Sequence, residues 1–524
     1  MADSEWKNKL YFGDNLDILR KHVTANSVDL IYLDPPFNSN ATYNVLFKEP
    51  SGEPSEAQIA AFEDTWQWGE ESRKTFTEIV ATAPASVVEM MKAFRGFIHD
   101  NAMMAYLTMM CIRLLELKRV LKDTGAIYLH CDPKASHYLK IVMDTVFGVE
   151  NFMNEIVWRR STPIGGKVKS KMFPRDHDII FFYKKSEIPI YKNIYLDYSE
   201  EYKRKFFYHD DGDGRGKYML QTVGDYSDKS IEEFRKQGII HETKTGNLRV
   251  KQYLNESKGI LADDVWVDIR NVRQHDTQQM SGKEYLGYPT QKPQALLERI
   301  IEASSKDGDL VLDPFCGCGT ALVAAQHLNR RWIGIDITYL ATATMKWRLN
   351  KLFGLTAKKD YDIIGEPTDL TGAIELAKQD RYQFQYWAVD LVGGQSYRDK
   401  KKGADTGIDG YVYFMDEKDK PKKAIVQVKS GGVSVNLVRD LIGVVQREKA
   451  EIGIFISLEA PTKPMETEAI SQDFYRSPLG KDYPKIQILT IEELLKGKKT
   501  DIPPWVSPFE TPITKNKNQS AMML

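Results

Sequence analysis

The shortages of this sequence narrow it first. Cysteine is scarce: four residues in 524, Cys111, Cys131, Cys316 and Cys318, do not make the spaced framework of a disulfide-stapled domain. Net charge is nearly absent, with 72 Lys and Arg against 73 Asp and Glu. Any nucleic-acid surface must then come from local clustering and not from the whole-chain balance. Long apolar runs are missing as well. The Met-rich stretch 103–121 is interrupted by Arg113, Glu116, Lys118 and Arg119, which excludes a membrane-spanning helix there. No signal peptide pattern opens the sequence. The expectation is a soluble, cytoplasmic protein of roughly two to four domains.

What is present is concentrated in a few stretches. Residues 27–43 read SVDLIYLDPPFNSNATY, a mostly apolar run that meets Asp34-Pro35-Pro36-Phe37. A short apolar run stopped by two prolines reads as a buried parallel strand whose carboxyl end opens onto a rigid loop. Ligand crevices of doubly wound sheets lie at such ends. Asp34 offers an acceptor there, Pro35 a carbonyl without a competing N–H, and Phe37 a flat apolar face. Those groups suit a planar base with an exocyclic amine. A strand followed by an ordinary proline turn is the plainer account of the same residues.

Upstream, residues 9–14 read as a strand ending at Gly13-Asp14 before a short helix, 16–22. Asp14 is either a site residue beside Asp34 or the cap of that helix. Residues 44–84 read as a mobile polar insertion above the site, 100–122 as a helix, 126–131 as a buried strand and 134–147 as the helix behind it. His130 follows three apolar residues and reads as buried and structural, not catalytic. Between strands at 155–160 and 178–183 lie Arg159, Arg160, Lys167, Lys169, Lys171 and Arg175, with Gly165 and Gly166 and no acid before Asp176. Glycines and cations on one loop suit phosphate contacts; a solvated loop is the alternative. Residues 186–284 are rich in aromatics but show no clean period.

A second diagnostic stretch starts at Tyr288-Pro289-Thr290-Gln291-Lys292-Pro293 and enters a helix, 294–304. A strand at 309–313 then meets Pro314-Phe315-Cys316-Gly317-Cys318-Gly319-Thr320, followed by a helix at 321–328 and a strand at 332–337 carrying Asp336. Gly317 and Gly319 would let the backbone approach a ligand, and Asp336 falls where a ribose hydroxyl acceptor is expected. Asp313 and Phe315 stand where a pyrophosphate binder would want neutral amides, which favours a nucleoside with a cationic group. A glycine turn that binds nothing remains the alternative, and two thiols without a second pair do not make a metal site.

After Phe353 the pattern changes. A helix is expected over 373–392, then GADTGIDG at 403–410, a hairpin of 411–414 with 424–429, a helix at 437–450 and a strand at 452–456. The hairpin brings Asp409 near Gln427 and Lys429: one carboxylate for a divalent ion and one ammonium for a transition state. A merely charged hairpin is the other reading.

Taken together, Asp34–Phe37 and Asp313–Gly319 resemble the catalytic tetrapeptide, in its adenine-type form, and the S-adenosylmethionine loop of the amino-methyltransferases of DNA. Their order is that of the permuted β arrangement, and the modification subunits of type III restriction systems are the nearest likeness. Phe37 stands where tyrosine is commoner, which keeps the stacking face and leaves cytosine N4 as an alternative target. The resemblance implies an α/β, Rossmann-like permuted methyltransferase domain over 1–365, with a target-recognition region inserted at 185–285. It implies catalytic Asp34, Pro35, Pro36 and Phe37, and a cofactor site of Asp14, Asp313, Phe315, Gly317, Gly319, Thr320 and Asp336. The expected DNA contacts are those read from the basic loop: Arg159, Arg160, Lys167, Lys169, Lys171 and Arg175. Double-stranded DNA is the implied partner, with no membrane; a homodimer and a separate restriction subunit stay open.

The GIDG…QVK pattern resembles the Mrr-type branch of the PD-(D/E)xK nucleases. It implies a smaller α/β restriction-endonuclease-like domain over 366–500, ahead of a tail, 501–524. Asp409, Gln427 and Lys429 fall on that family's active positions, with Asp409 the ligand for Mg2+. Gln385 stands where the family tends to carry glutamate. The expected whole is a site-specific adenine-N6 methyltransferase of a restriction-modification system with a nuclease-like domain. The rivals are a C-terminal domain that only binds DNA, and an RNA or protein amino-methyltransferase.

Overall fold

The run Val28–Leu33 is a strand buried at all six positions, and a mixed sheet extends from it on both sides. The computed structural model describes residues 6–36, 41–48, 54–64, 67–161, 173, 175–186, 190–224, 226–272, 284–286, 288, 291–396, 407–416, 421–478 and 480–503. The sheet contains β1 (Asn8–Phe12), β2 (Val28–Leu33), β3 (Leu121–Cys131), β4 (Phe152–Arg159), β5 (His177–Lys184), β6 (Leu310–Asp313), β7 (Arg331–Asp336) and β8 (Tyr361–Ile364). Their order is β4-β5-β3-β2-β6-β7-β1-β8. Pairings from β3 through β8 are parallel, while β5 runs antiparallel to β3 and β4.

One acid in the middle of this core is fully used. Asp29 of β2 is 3% exposed, accepts from Lys122 Nζ at 2.7 Å and from the Leu310 N–H at 2.9 Å. A buried carboxylate is tolerated only when so paired, and here it ties β2 to β3 and β6. The helix Ala102–Val120 packs against the sheet with its methionines in the core. It is shorter than the expected 100–122 because β3 begins at Leu121.

Two elements differ from expectation. The stretch 44–84 is not patternless: strands Ala41–Lys48 and Pro54–Asp64 pair as an antiparallel hairpin, and Glu70–Thr82 is a helix burying Phe76 and Ile79. The expected helix 373–392 is two helices, Leu370–Gln379 and Arg381–Leu391. Asp380 breaks it by leaving helical dihedrals (φ −150°, ψ 103°) and accepting from the Tyr382 and Gln383 N–H groups, a side-chain cap that competes with helix continuation.

By compactness the chain divides into Tyr191–Trp266 and the remainder. Tyr191–Trp266 has a three-stranded antiparallel sheet, Ile240–Glu242, Leu248–Tyr253 and Tyr218–Thr222, over a small core of Tyr198, Phe207 and Met219.

The other unit carries a second sheet: β9 (Gln395–Ser396), β10 (Gly410–Met415), β11 (Pro421–Lys429), β12 (Ile452–Ser457) and β13 (Ile486–Thr490), in that order. β9 to β11 are antiparallel, β11 to β13 parallel. This sheet is not strung on a linker. Tyr288 and Cys318 share one buried apolar cluster with Ile408, Tyr411, Val438 and Leu441. Tyr339 donates its hydroxyl to Asp390 at 2.6 Å, and Lys346 pairs with both Glu366 and Asp390. Among the described residues no helix is long and apolar enough to cross a membrane.

Candidate active site

The carboxyl ends of β2, β6, β7 and β1 lie side by side, so each delivers the residue that ends its apolar run to one place. Asp34, Asp313, Asp336 and Asp14 all line a cavity of about 280 Å3, with Pro35, Pro36, Phe315, Gly317 and Thr320 in the same wall. Gly319 lies in the turn and caps the helix Thr320–His327 from a left-handed conformation, φ +77°. A Cβ there would meet Met345 Cγ at 2.5 Å, so both the dihedral and the space call for glycine. Phe37, Lys167, Lys169 and Lys171 lie outside the described residues.

Among the described residues, Asp34 is bound on one side. Its Oδ2 pairs with Lys292 Nζ, and the two side chains are 14% and 9% exposed. Its Oδ1 is buried and has no hydrogen-bond partner among the described residues. Lys292 comes from the stretch ahead of the helix Gln294–Ser304, where the Gln291 amide donates to Glu284 O at 2.8 Å and accepts from Leu286 N at 2.9 Å. Sequence reasoning marked this stretch as diagnostic but gave the lysine no role and no partner.

The glycine turn is organised by the other acids. Asp336 accepts from the Gly317 N–H with one oxygen and from Thr338 N and Oγ1 with the other, each at 2.8 Å. Burial raises its carboxyl, and the bonds from Thr338 and Gly317 work against that rise. Asp313 accepts from the Phe315 N–H at 3.0 Å. Burial pushes its carboxyl well above the ordinary range, and the charges of Asp34 and Asp336 push the same way against the Phe315 hydrogen bond. Asp14 does both things read for it. It caps the helix Asn15–His22 and lines the cavity, with its Oδ2 on Arg113 Nη2 at 2.7 Å. Asn15 then donates to Pro314 O at 2.8 Å, joining the β1 turn to the glycine turn. Arg113, which sequence reasoning used only as an interruption of an apolar stretch, lines the cavity too.

A further buried chain runs from the cavity under the sheet. Tyr32 OH meets His130 Nδ1 at 2.9 Å, and His130 Nε2 meets Asp178 Oδ2 at 3.1 Å. Burial alone would raise Asp178; His130, Lys292 and Arg160 outweigh it and hold the carboxyl below its ordinary value. His130 is fully buried, as read from the sequence, and its ring meets Tyr32 of β2 and Asp178 of β5. Arg160 Nε lies 3.4 Å from Asp178 Oδ1, with a third of the arginine side chain still exposed. Arg159 and Arg175 are exposed.

On the second sheet, the Asp409 N–H donates to Val426 O, and Asp409 Oδ2 accepts from Val428 N at 2.7 Å. Gln427 is 3% exposed and its Oε1 has no partner among the described residues; Gln385 is buried in Arg381–Leu391, and Lys429 is half-buried. Among the described residues no group of three His, Cys, Asp or Glu could hold a metal ion.

Residues 28–343 match the family described as DNA methylase, N6_N4_Mtase. Residues 382–496 match the one described as NACHT-associated inactive Restriction Endonuclease 1. The Type II methyltransferase M.EcaI of Enterobacter cloacae is 33% identical over 266 residues, 47% of this chain and 57% of that protein. The Type III restriction-modification enzyme StyLTI Mod subunit of Salmonella typhimurium is 24% identical over 395 residues, 70% of this chain and 56% of that protein. The chain thus spans little more than half the length of these curated relatives. The PvuII DNA methyltransferase (cytosine-N4-specific) is loosely similar in structure, at 13% identity and a TM-score of 0.35 over 65% of this chain and 86% of that one.

Proposed function

Because the chain belongs to the N6_N4 DNA methylase family, we propose that it transfers a methyl group from S-adenosylmethionine to adenine N6 in double-stranded DNA, as the modification activity of a restriction-modification system. The observation that carries this reading is the Asp34 carboxylate, with one oxygen clamped by Lys292 and the other buried and without a partner among the described residues. An exocyclic amine is the donor that oxygen lacks. The aspartate at the first position of the tetrapeptide is what favours adenine over cytosine.

The cavity fits the cofactor. Phe315, Pro314 and Leu297 give it apolar wall, and Asp14, Asp313 and Asp336 ring it with acids, a complement to a nucleoside carrying a positive sulfur. When bound, S-adenosylmethionine supplies an electrophilic methyl group. Asp336 and Asp14 are the residues to hold its ribose and adenine, and the Gly317–Gly319 turn lets the backbone close on it. The target base must leave the helix stack to reach Asp34. There Asp34 Oδ1 and the Pro35 carbonyl accept the two amine protons, which frees the nitrogen lone pair. The nitrogen so freed would be the acceptor of the methyl group that the cofactor supplies, and one amine proton would leave by way of Asp34. Positioning and charge placement supply most of the acceleration.

The C-terminal domain, on this reading, does not cut. Mg2+-dependent cleavage through Asp409, Gln427 and Lys429 would rest on one carboxylate, which accepts from the Val428 N–H, with neutral Gln427 and Gln385 in place of further acids. That donor set does not hold a resident Mg2+, and the family matched over 382–496 is described as inactive.

The test is Asp34→Ala against the parent chain on unmethylated plasmid with S-adenosylmethionine and magnesium, followed by nucleoside mass spectrometry. The parent yields 6-methyladenine and leaves the plasmid whole; the variant still binds cofactor and loses transfer by at least about 1000-fold. Methylation by the variant would remove Asp34 from the reaction, 4-methylcytosine would replace adenine as the target, and cut plasmid would restore a nuclease.

A further inference from the structure

We infer that Lys292 is the positioning residue for Asp34: it holds one carboxylate oxygen so that only the other meets the target amine. The inference rests on the reading of Asp34 given above. A carboxylate has two equivalent oxygens and turns about its last bond with little resistance. Reaction geometry tolerates little such freedom, since a displacement of about 1 Å costs about 100-fold in rate.

The constraint is built in from several sides. Lys292 is 8% exposed, which leaves its ammonium little room to swing into water. Its backbone is anchored before it by the paired Gln291 amide and after it by Pro293, which starts the helix Gln294–Ser304. The partner side chain, Asp34, hangs from a strand buried at every position. The ion pair is therefore a contact between two fixed points.

The ammonium has a second effect at the same spot. Asp313, Asp336 and Asp178 lie around Asp34, and Tyr32 on β2 is pushed upward by burial and then by Asp34, Asp313 and Asp178. Charges that close repel strongly where solvent is scarce. Lys292 offsets that repulsion directly at Asp34, and its charge also reaches Asp178 and Asp313. A neutral residue of the same length keeps the packing and loses both effects. Arginine keeps the charge and can still pair with a carboxylate.

The experiment uses the full chain as Lys292→Met, Lys292→Arg and Asp34→Ala, with steady-state methylation kinetics and calorimetric S-adenosylmethionine binding. Lys292→Met is expected to lower kcat by about 100-fold, with KM for DNA and Kd for cofactor within about threefold of the parent. Lys292→Arg should recover at least about tenfold of the loss. A Met variant with parental kcat, or one whose cofactor affinity falls in step with kcat, overturns the inference. If the Met variant does not fold, the Arg variant decides: activity as low as that of Asp34→Ala overturns it, and activity well above that supports it. Parental activity in Asp34→Ala is a separate outcome and sinks the reading of Asp34 itself.

Discussion

Four acids in one small cavity put a strain on the empty protein that a bound cation would relieve, and Asp313 bears most of it. Its carboxyl is raised well above the ordinary range, first by burial and then by Asp34 and Asp336. The consequence for stability has a definite sign. A carboxyl raised in the fold costs nothing at pH below its unfolded value of about 4, and the cost grows as pH rises towards the raised value. Asp313→Asn keeps an acceptor for the Phe315 N–H and removes that cost. The cofactor-free variant should be more stable than the parent at pH 8, on the order of 1 kcal/mol, with the gap closing towards pH 4. Thermal melts across that range are the check, and a variant less stable at pH 8 contradicts the argument. The same change should weaken S-adenosylmethionine binding, because the wall loses one of its acids.

Among elements, those that begin or end on strong local signals were readable in advance. The helix Gln294–Ser304 runs over the expected residues, and β2, β6 and β7 fall within a residue or two of expectation. Asp34, Asp313 and Asp336 were legible as a site for the same reason: each sits at or just past the end of an apolar run, and parallel strands bring such ends together. Lys292 and Arg113 were not. Their partners lie 258 and 99 positions away, and no periodicity records a pairing at that range. The broken helix at Asp380 failed differently, because apolar spacing continues through it while one side chain diverts the backbone. Asp380→Ala removes the bonds to the Tyr382 and Gln383 N–H groups. It should cost about 1 kcal/mol, read as a lower midpoint in urea with an unchanged slope; a midpoint that does not move would mean that packing alone sets the break.

At the scale of the whole molecule, the methylase sheet and the second sheet share side chains instead of meeting at a wet boundary. Tyr288, from the stretch before the cofactor turn, and Cys318, within that turn, are buried with Tyr411 and Leu441, and each large apolar residue so covered is worth about 2 kcal/mol. The Tyr339–Asp390 and Lys346–Asp390 contacts add part-buried polar partners that neither half can replace alone. A chain ending at residue 365 should therefore fail to melt cooperatively or to methylate DNA, whereas the full chain should place both sheets in one calorimetric transition. A truncated chain that methylates at the parental rate would show the shared core to be dispensable. That core also sets how the gene can change over generations. A module on a linker can be lost to one premature stop with its neighbour left working. If the shared core is required as argued, a stop codon ahead of β13 takes the methylase activity with it, and the second sheet is then inherited for its shape.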